Sequence, residues 1–175
     1  MNIQKFTQKS IQAVQGCEKL AYEYGNQEIE QEHLLYSLLT LEDSLILKLI
    51  EKMEIQKQYF LNRVEQALNK RVKVQGGQLF MGQHLNKVLI SAEDEAKQMG
   101  DEYVSVEHLF LSMLKKGNKE LKEVFRTYGI TRDEFLKALS TVRGNQKITS
   151  DNPEATYEAL SKYGTDLVEK AKQQK

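Results

Sequence analysis

Residues 104–114 read VSVEHLFLSML, and residues 29–39 read IEQEHLLYSLL. Both runs place Glu-His-Leu at the mouth of an apolar helical stretch, with His33 and His108 lying 75 positions apart. The same shift carries Glu18 onto Glu93, Ala21 onto Ala96, Gly25 onto Gly100, Ser37 onto Ser112 and Leu39 onto Leu114. It continues without a gap to Ile55, Phe60 and Leu61, which fall on Ile130, Phe135 and Leu136. An ungapped match of that length marks an internal repeat.

The repeated unit reads as helical. Apolar residues recur at helical spacing along most segments, strand-like alternation is nearly absent, and proline occurs once, at Pro153. A first helix runs from about Thr7 to Tyr24, turning Ile11, Val14, Cys17 and Ala21 inward. A second begins near Glu30 and buries Leu34, Leu35, Leu38 and Leu39, and shorter helices follow over Leu45–Met53 and Gln56–Lys70. Gly25 and Gly100 follow helical runs, where a left-handed residue closes the helix and glycine adopts it without a Cβ penalty. Ser105 reads as an N-cap that puts Glu107 in the first turn, where a carboxylate gains about 0.3–1 kcal/mol from the helix dipole. Glu30 holds the matching place in the first unit and is by type a poorer cap.

These observations predict an all-α fold, a pseudo-symmetric tandem repeat of two four-helix units. The units span 1–75 and 76–143 and pack as one domain, and 144–175 forms a C-terminal linker segment. The blocks GGQLFMG (76–82) and GNQKITSDNP (144–153) read as connections. Beyond them, Asn152 and Pro153 offer a helix start, but Tyr157, Leu160 and Tyr163 make a stripe too thin to fold alone, interrupted at Gly164.

Composition narrows the function classes. The chain has 175 residues, 40% hydrophobic and 29% charged, with 25 basic residues against 25 acidic ones and a formal net charge of zero. Such a balance argues against a nucleic-acid partner, whose capture rests on a basic surface. The short cluster Lys70, Arg71 and Lys73 reads as a solvated helix end. The single cysteine, Cys17, cannot form an internal disulfide and sits on the apolar face as a small hydrophobe. No run approaches the ~20 apolar residues of a membrane span, and MNIQKFTQKS lacks the apolar stretch of a signal peptide, so no membrane association and a cytoplasmic location are expected.

The Glu-His pairs are poor metal ligands, because adjacent helical residues point about 100° apart and helical zinc pairs place their histidines four apart. With His84 the only other histidine, the expected role is a ring packed near the helix start with a nitrogen bonded to backbone, and no metal. Neither a phosphate-binding glycine loop nor a G-x-S-x-G elbow is present, and SAEDEAK (91–97) reads as a solvated helix face, so no catalytic residue is expected. One asymmetry between the units stands out: Asn26 becomes Asp101. In GDEYVSVEH (100–108), Asp101 and Glu107 could hold a basic or amide-rich peptide beside an apolar surface. Equally, Asp101 could cap a neighbouring amide.

The duplicated unit, the two E-H-L starts and GDEYVSVEH resemble the Clp amino-terminal (Clp repeat) domain, which heads hexameric AAA+ unfoldases. The resemblance covers nearly the whole chain, and the tail NPEATYEALSKYGTDLVEKAKQ is most similar to the segment leading into the first ATPase module of the ClpB disaggregases. It implies a domain that engages unfolded or aggregated polypeptide weakly and passes it to an ATP-driven homohexameric ring. The stretch read here would itself hold no cofactor and be monomeric, with ATP and Mg in ATPase modules outside it. By motif, the family's substrate-linked positions land on Thr7, Asp101 and Glu107, with Glu32 as a secondary position and Leu89 as a groove-lining one. The alternative within the family is docking of adaptors or phosphoarginine, as in ClpA and ClpC. ClpC units typically read GTEH where this chain has EQEH and SVEH, removing backbone and hydroxyl donors suited to a phosphate. A helical repeat with no ligand of its own is the remaining alternative.

Overall fold

A computed structural model describes residues 2–153, so the reading of Tyr157, Leu160, Tyr163 and Gly164 lies outside the described residues. The first unit comprises α1 (Gln8–Glu23), α2 (Gln31–Thr40), α3 (Leu45–Lys52) and α4 (Lys57–Asn69). The second comprises α5 (Gln83–Gln98), α6 (Val106–Lys116), α7 (Lys119–Thr127) and α8 (Arg132–Arg143). Three of the four helices start 75 residues apart in the two units, and α3 and α7 start 74 apart. None of the described helices is long and apolar enough to cross a membrane.

Local chemistry sets these boundaries. Thr7 caps α1 by accepting from the Ser10 amide at 3.2 Å, and Ser44, Asn118 and Thr131 cap α3, α7 and α8 in the same way. Gly25 and Gly100 adopt φ of 70° and 72°. The amides of the next residues, Asn26 and Asp101, then donate back to Ala21 and Ala96 at 2.8 and 2.9 Å, which satisfies carbonyls the helix end leaves open.

The units clasp each other through reciprocal pairings that the periodicity did not reveal. Two-residue strands β1 (Glu28–Ile29) and β2 (Phe80–Met81) run parallel, with Ile29 opposite Met81, and an isolated parallel bridge joins Phe6 to Val104. Shifting by 75 converts one pairing into the other: Ile29 becomes Val104 and Met81 becomes Phe6. The amides of Gly82 and Thr7 accordingly donate to Ile29 and Val104 at 2.8 and 2.9 Å. Two residues are too few to show alternation, and β2 lies inside the block read as a plain connection.

One core serves both units. The central helices α2 and α6 touch each other and α1, α3 and α5, and they bury Leu34, Leu35, Leu38 and Leu39 against Leu109, Phe110, Leu111 and Met113. Phe110 stacks on Phe135 at 4.5 Å between centroids and meets Phe125 edge-on. On α1 the inward face is shifted from expectation. Ser10, Ala13, Cys17 and Ala21 are buried, while Ile11 and Val14 are only partly so. Small residues let α2 approach closely, and Ser37 Oγ donates to the Ala13 carbonyl at 2.7 Å, as Ser112 Oγ does to Val88. Burial pushes the Cys17 thiol up to about 12, as suits a packed hydrophobe.

Two connections prove to be part of the domain. Ile148, in the run after α8, is buried in the core, and its amide and carbonyl bond to Asp101 Oδ1 and the Glu102 amide. Glu30, a poor cap by type, serves two helices. Its carboxylate accepts from the amides of Gln31 at 3.0 Å and of His84, in the first turn of α5, at 3.2 Å. It reaches α5 across Gly82, where an added Cβ would lie 1.8 Å from Glu30 Oε1. Gly82→Ala should therefore displace this carboxylate and lower unfolding free energy by about 1–2 kcal/mol, measured by urea titration. An unchanged midpoint would show that Glu30 does not hold the two helix starts together.

Candidate functional site

The repeated Glu-His-Leu starts each resolve into a histidine cap. The Glu30 amide donates to His33 Nδ1 at 2.9 Å, and the Ser105 amide donates to His108 Nδ1 at 2.9 Å. The histidine thus stands where glutamate or glutamine completes a capping box. An Nδ1 that accepts leaves the ring proton on Nε2, which faces Asn26 Oδ1 at 2.9 Å in the first unit and Asp101 Oδ2 at 2.7 Å in the second. Burial first, and then the charge of Arg71, lowers the His33 pKa to about 4.

The glutamates of the two starts diverge. Glu32 accepts from Arg71 Nη1 at 2.8 Å and from Asn118 Nδ2 at 2.8 Å, which ties the first unit to the start of α7. Arg71 also donates to Glu28 at 2.8 Å. Glu107 accepts from the Ser105 hydroxyl, and its other oxygen lies 3.5 Å from Arg143 Nη1. Asp101 accepts from Arg143 Nη2 and, at 3.0 Å, from the Ile148 amide. Burial would raise the Asp101 pKa, but His108, the Ile148 amide and Arg143 outweigh it and hold the carboxyl below the usual carboxylate range. Arg143 Nε also donates to the Gln146 carbonyl at 2.9 Å, so this charged knot anchors the segment after α8.

Several expectations are corrected by this placement. Thr7, Glu32, Leu89, Asp101 and Glu107 are all buried, and of the five only Glu32 borders one of the clefts beside α7. Asp101 and Glu107 do not flank an open surface; their charges are met internally by Arg143. Leu89 lines the core rather than a groove. Nor is the Lys70–Lys73 cluster merely a solvated helix end. Lys70 pairs with Glu120 at 3.3 Å, Arg71 bridges Glu28 and Glu32, and Lys73 donates to the Tyr24 carbonyl at 2.7 Å. Within SAEDEAK, Glu95 is buried and held by both Arg132 nitrogens at 3.0 and 2.7 Å. Among the described residues no three His, Cys, Asp or Glu side chains group closely enough to hold a metal ion.

Open concave surface lies instead on both sides of α7. One cleft of about 650 Å³ has Leu114, Phe125 and Ile130 as its floor and Lys115, Lys122 and Arg126 on its rim. A second, of about 760 Å³, opens at the seam between the units beside Glu32, Arg71, His84, Lys119 and Lys122. The sequence held a signal for them in the spacing of Lys119, Lys122 and Arg126 along α7, opposite Leu121, Val124 and Phe125.

The chain thus carries a duplicated four-helix unit with histidine-capped helix starts and paired lead-in strands. Residues 5–128 match the Clp repeat (R) N-terminal domain, and the chain belongs to that family. Chaperone protein ClpB of Nitratidesulfovibrio vulgaris is 42% identical over 181 residues, covering 100% of this chain and 21% of that protein. ClpB of Bacillus anthracis is 37% identical over 177 residues, covering 98% of this chain and 20% of that protein. The chain therefore spans about a fifth of the length of these relatives. Among solved structures, the Hsp104 N-terminal domain from Candida albicans aligns with a TM-score of 0.73 at 22% identity, over 85% of this chain and 97% of that one. A complex of the ClpV N-domain with a VipB peptide aligns with a TM-score of 0.64 at 20% identity, over 84% of this chain and 92% of that one.

Proposed function

We propose that this chain is the substrate-engaging N-terminal domain of a ClpB-like ATP-dependent disaggregase. It binds unfolded or aggregated polypeptide weakly and reversibly and yields it to a homohexameric ATPase ring in the cytoplasm. ATP and Mg act in that ring, in modules outside this chain, and the domain itself is non-enzymatic and monomeric. The observation that carries the reading is similarity to ClpB along the entire chain at 42% identity. Weak capture suits a domain that must release its client to a motor, since several copies on one ring gain through effective concentration. In this reading Thr7, Asp101 and Glu107 act as positioning residues that hold helix starts and the exit segment, and contact with clients falls to the clefts beside α7.

A second reading, docking of a defined adaptor peptide, has support in the ClpV N-domain complex with a VipB peptide. Phosphoarginine docking at the E-H-L glutamates is disfavoured, because Glu32 is already held by Arg71 and Glu107 is buried. The readings separate by NMR titration of the 175-residue protein with a permanently unfolded model protein and, in parallel, with native lysate fractions. Localised shifts around α7 with the unfolded protein, at Kd values weaker than about 10 μM, are expected. Shifts produced only by a folded partner would transfer the assignment to adaptor docking.

A further inference from the structure

We infer that the cleft between α5, α6, α7 and α8 selects polypeptide segments in which acidic side chains lie beside bulky apolar ones. The inference rests on the polypeptide-engaging reading and adds a client chemistry to it. The cleft brings four cations, Lys115, Lys122, Arg126 and Arg132, around one carboxylate, Glu95. That carboxylate is buried and already held bidentately by Arg132. Glu123, on the neighbouring turn, pairs with Arg126 at 2.7 Å. Among the described residues Lys115, Lys116, Lys119 and Lys122 form no ion pair, although all four lie on or next to α7. The carboxylates around the seam cleft are likewise engaged: Glu32 by Arg71, and Glu120 by Arg63 and Lys70.

The unmatched charge on this face is thus positive, on a chain whose formal net charge is zero. The sign is the reverse of that expected when Asp101 and Glu107 were read as surface acids. Lys122 lines both clefts, so a bound segment can cross α7 from one to the other without leaving the lysine rim. The floor of Leu114, Phe125 and Ile130 receives the apolar side chains, and flexible lysines, rather than guanidinium forks aimed at one site, meet carboxylates at variable spacing. Rim charges of this kind steer encounter and discriminate between partners more than they add affinity, and salt screens them.

The test titrates the isotope-labelled 175-residue protein with three peptides of equal length that share alternate Phe and Leu. Their intervening positions are Asp and Glu, or Asn and Gln, or Lys. The acidic peptide should bind at least five-fold tighter than the amide peptide, with shifts at Phe125 and Ile130, and should lose about three-fold in affinity between 50 and 300 mM NaCl. Lys115→Glu with Lys122→Glu, both at exposed positions, should abolish the preference and leave the thermal midpoint unchanged. Equal affinities, tighter binding of the lysine peptide, or shifts remote from α7 overturn the inference. So does a single-stranded oligothymidylate that competes at equal concentration, since the site would then take any polyanion. An unfolded model protein is titrated alongside. If it binds while the acidic preference is missing, the selectivity falls and the polypeptide-engaging reading stands; if neither it nor any peptide moves a resonance, that reading fails as well.

Discussion

Asp101→Asn, which gives the second unit the residue that the first carries as Asn26, should lower the unfolding free energy by about 3 kcal/mol. The Arg143 side chain is only 3% exposed, and Asp101 is its closest counter-ion. Removing that charge leaves a buried guanidinium whose one remaining counter-ion is Glu107 at 3.5 Å, beside the neutral Gln146 carbonyl and Met99 sulfur. The first unit reaches the same shape without an ion pair at these two positions: Asn26 faces His33, and the position matching Arg143 is Leu68, fully buried. The triple variant Asp101→Asn, Glu107→Gln, Arg143→Leu should therefore recover to within about 1 kcal/mol of the parent, because a buried ionic group can be replaced by packed neutral groups at little net cost. Urea titrations of the single and triple variants measure both effects. Additive losses would show that the ionic knot is not one unit. The triple variant also separates positioning from contact. If Asp101 and Glu107 touch clients directly, it loses binding to unfolded protein despite its recovered stability; if they hold the exit segment, binding at α7 persists.

Much of the fold was readable because its determinants are local. Apolar residues at helical spacing located the helices of the first unit, whose four starts lie within one residue of the expected places, and the 75-residue repeat carries them into the second unit. The clasp between the units was not readable, since β1 and β2 contribute two residues each and pair across 52 positions. The candidate site misled for a related reason. Asp101 and Glu107 stand in a loop and a first turn, where acids are ordinarily solvated, and nothing near them in sequence announces Arg143, 42 residues from Asp101. A usable sign did exist, in that the shift by 75 changes Asn26 to Asp101 and Leu68 to Arg143 together, and a paired appearance of opposite charges is what a buried ion pair requires. Glu95 and Arg132 were hidden in the same way, 37 positions apart.

Acidification from pH 6.5 towards pH 4 should remove up to about 3 kcal/mol of stability through His33 alone. In the folded protein its pKa is lowered from 6.5 to about 4. Between those values the unfolded chain binds a proton that the folded chain refuses, so stability falls as pH falls. Burial is the main reason and the charge of Arg71 the second; the geometry agrees, since Nδ1 already accepts from the Glu30 amide and a second ring proton would set donor against donor. Other groups add to the loss only at the acid end of this range or below it, or oppose it. Asp101 and Glu120 have lowered pKa values, so what they contribute is present above 3.8 and 4.5 and is lost only on further acidification. Burial raises the Glu30 pKa, which makes its protonation favour the folded state and offsets part of the loss. His33→Gln supplies a side-chain oxygen to the same amide without a titrating ring, as glutamine does in an ordinary capping box. It should cost about 1 kcal/mol at pH 7 and flatten the profile between pH 6.5 and 5, read from urea midpoints at half-unit intervals. A profile in the variant as steep as the parent's would assign the acid sensitivity to a group other than His33, and with it reject the neutral histidine cap as the reason that Glu-His-Leu is written at the start of α2.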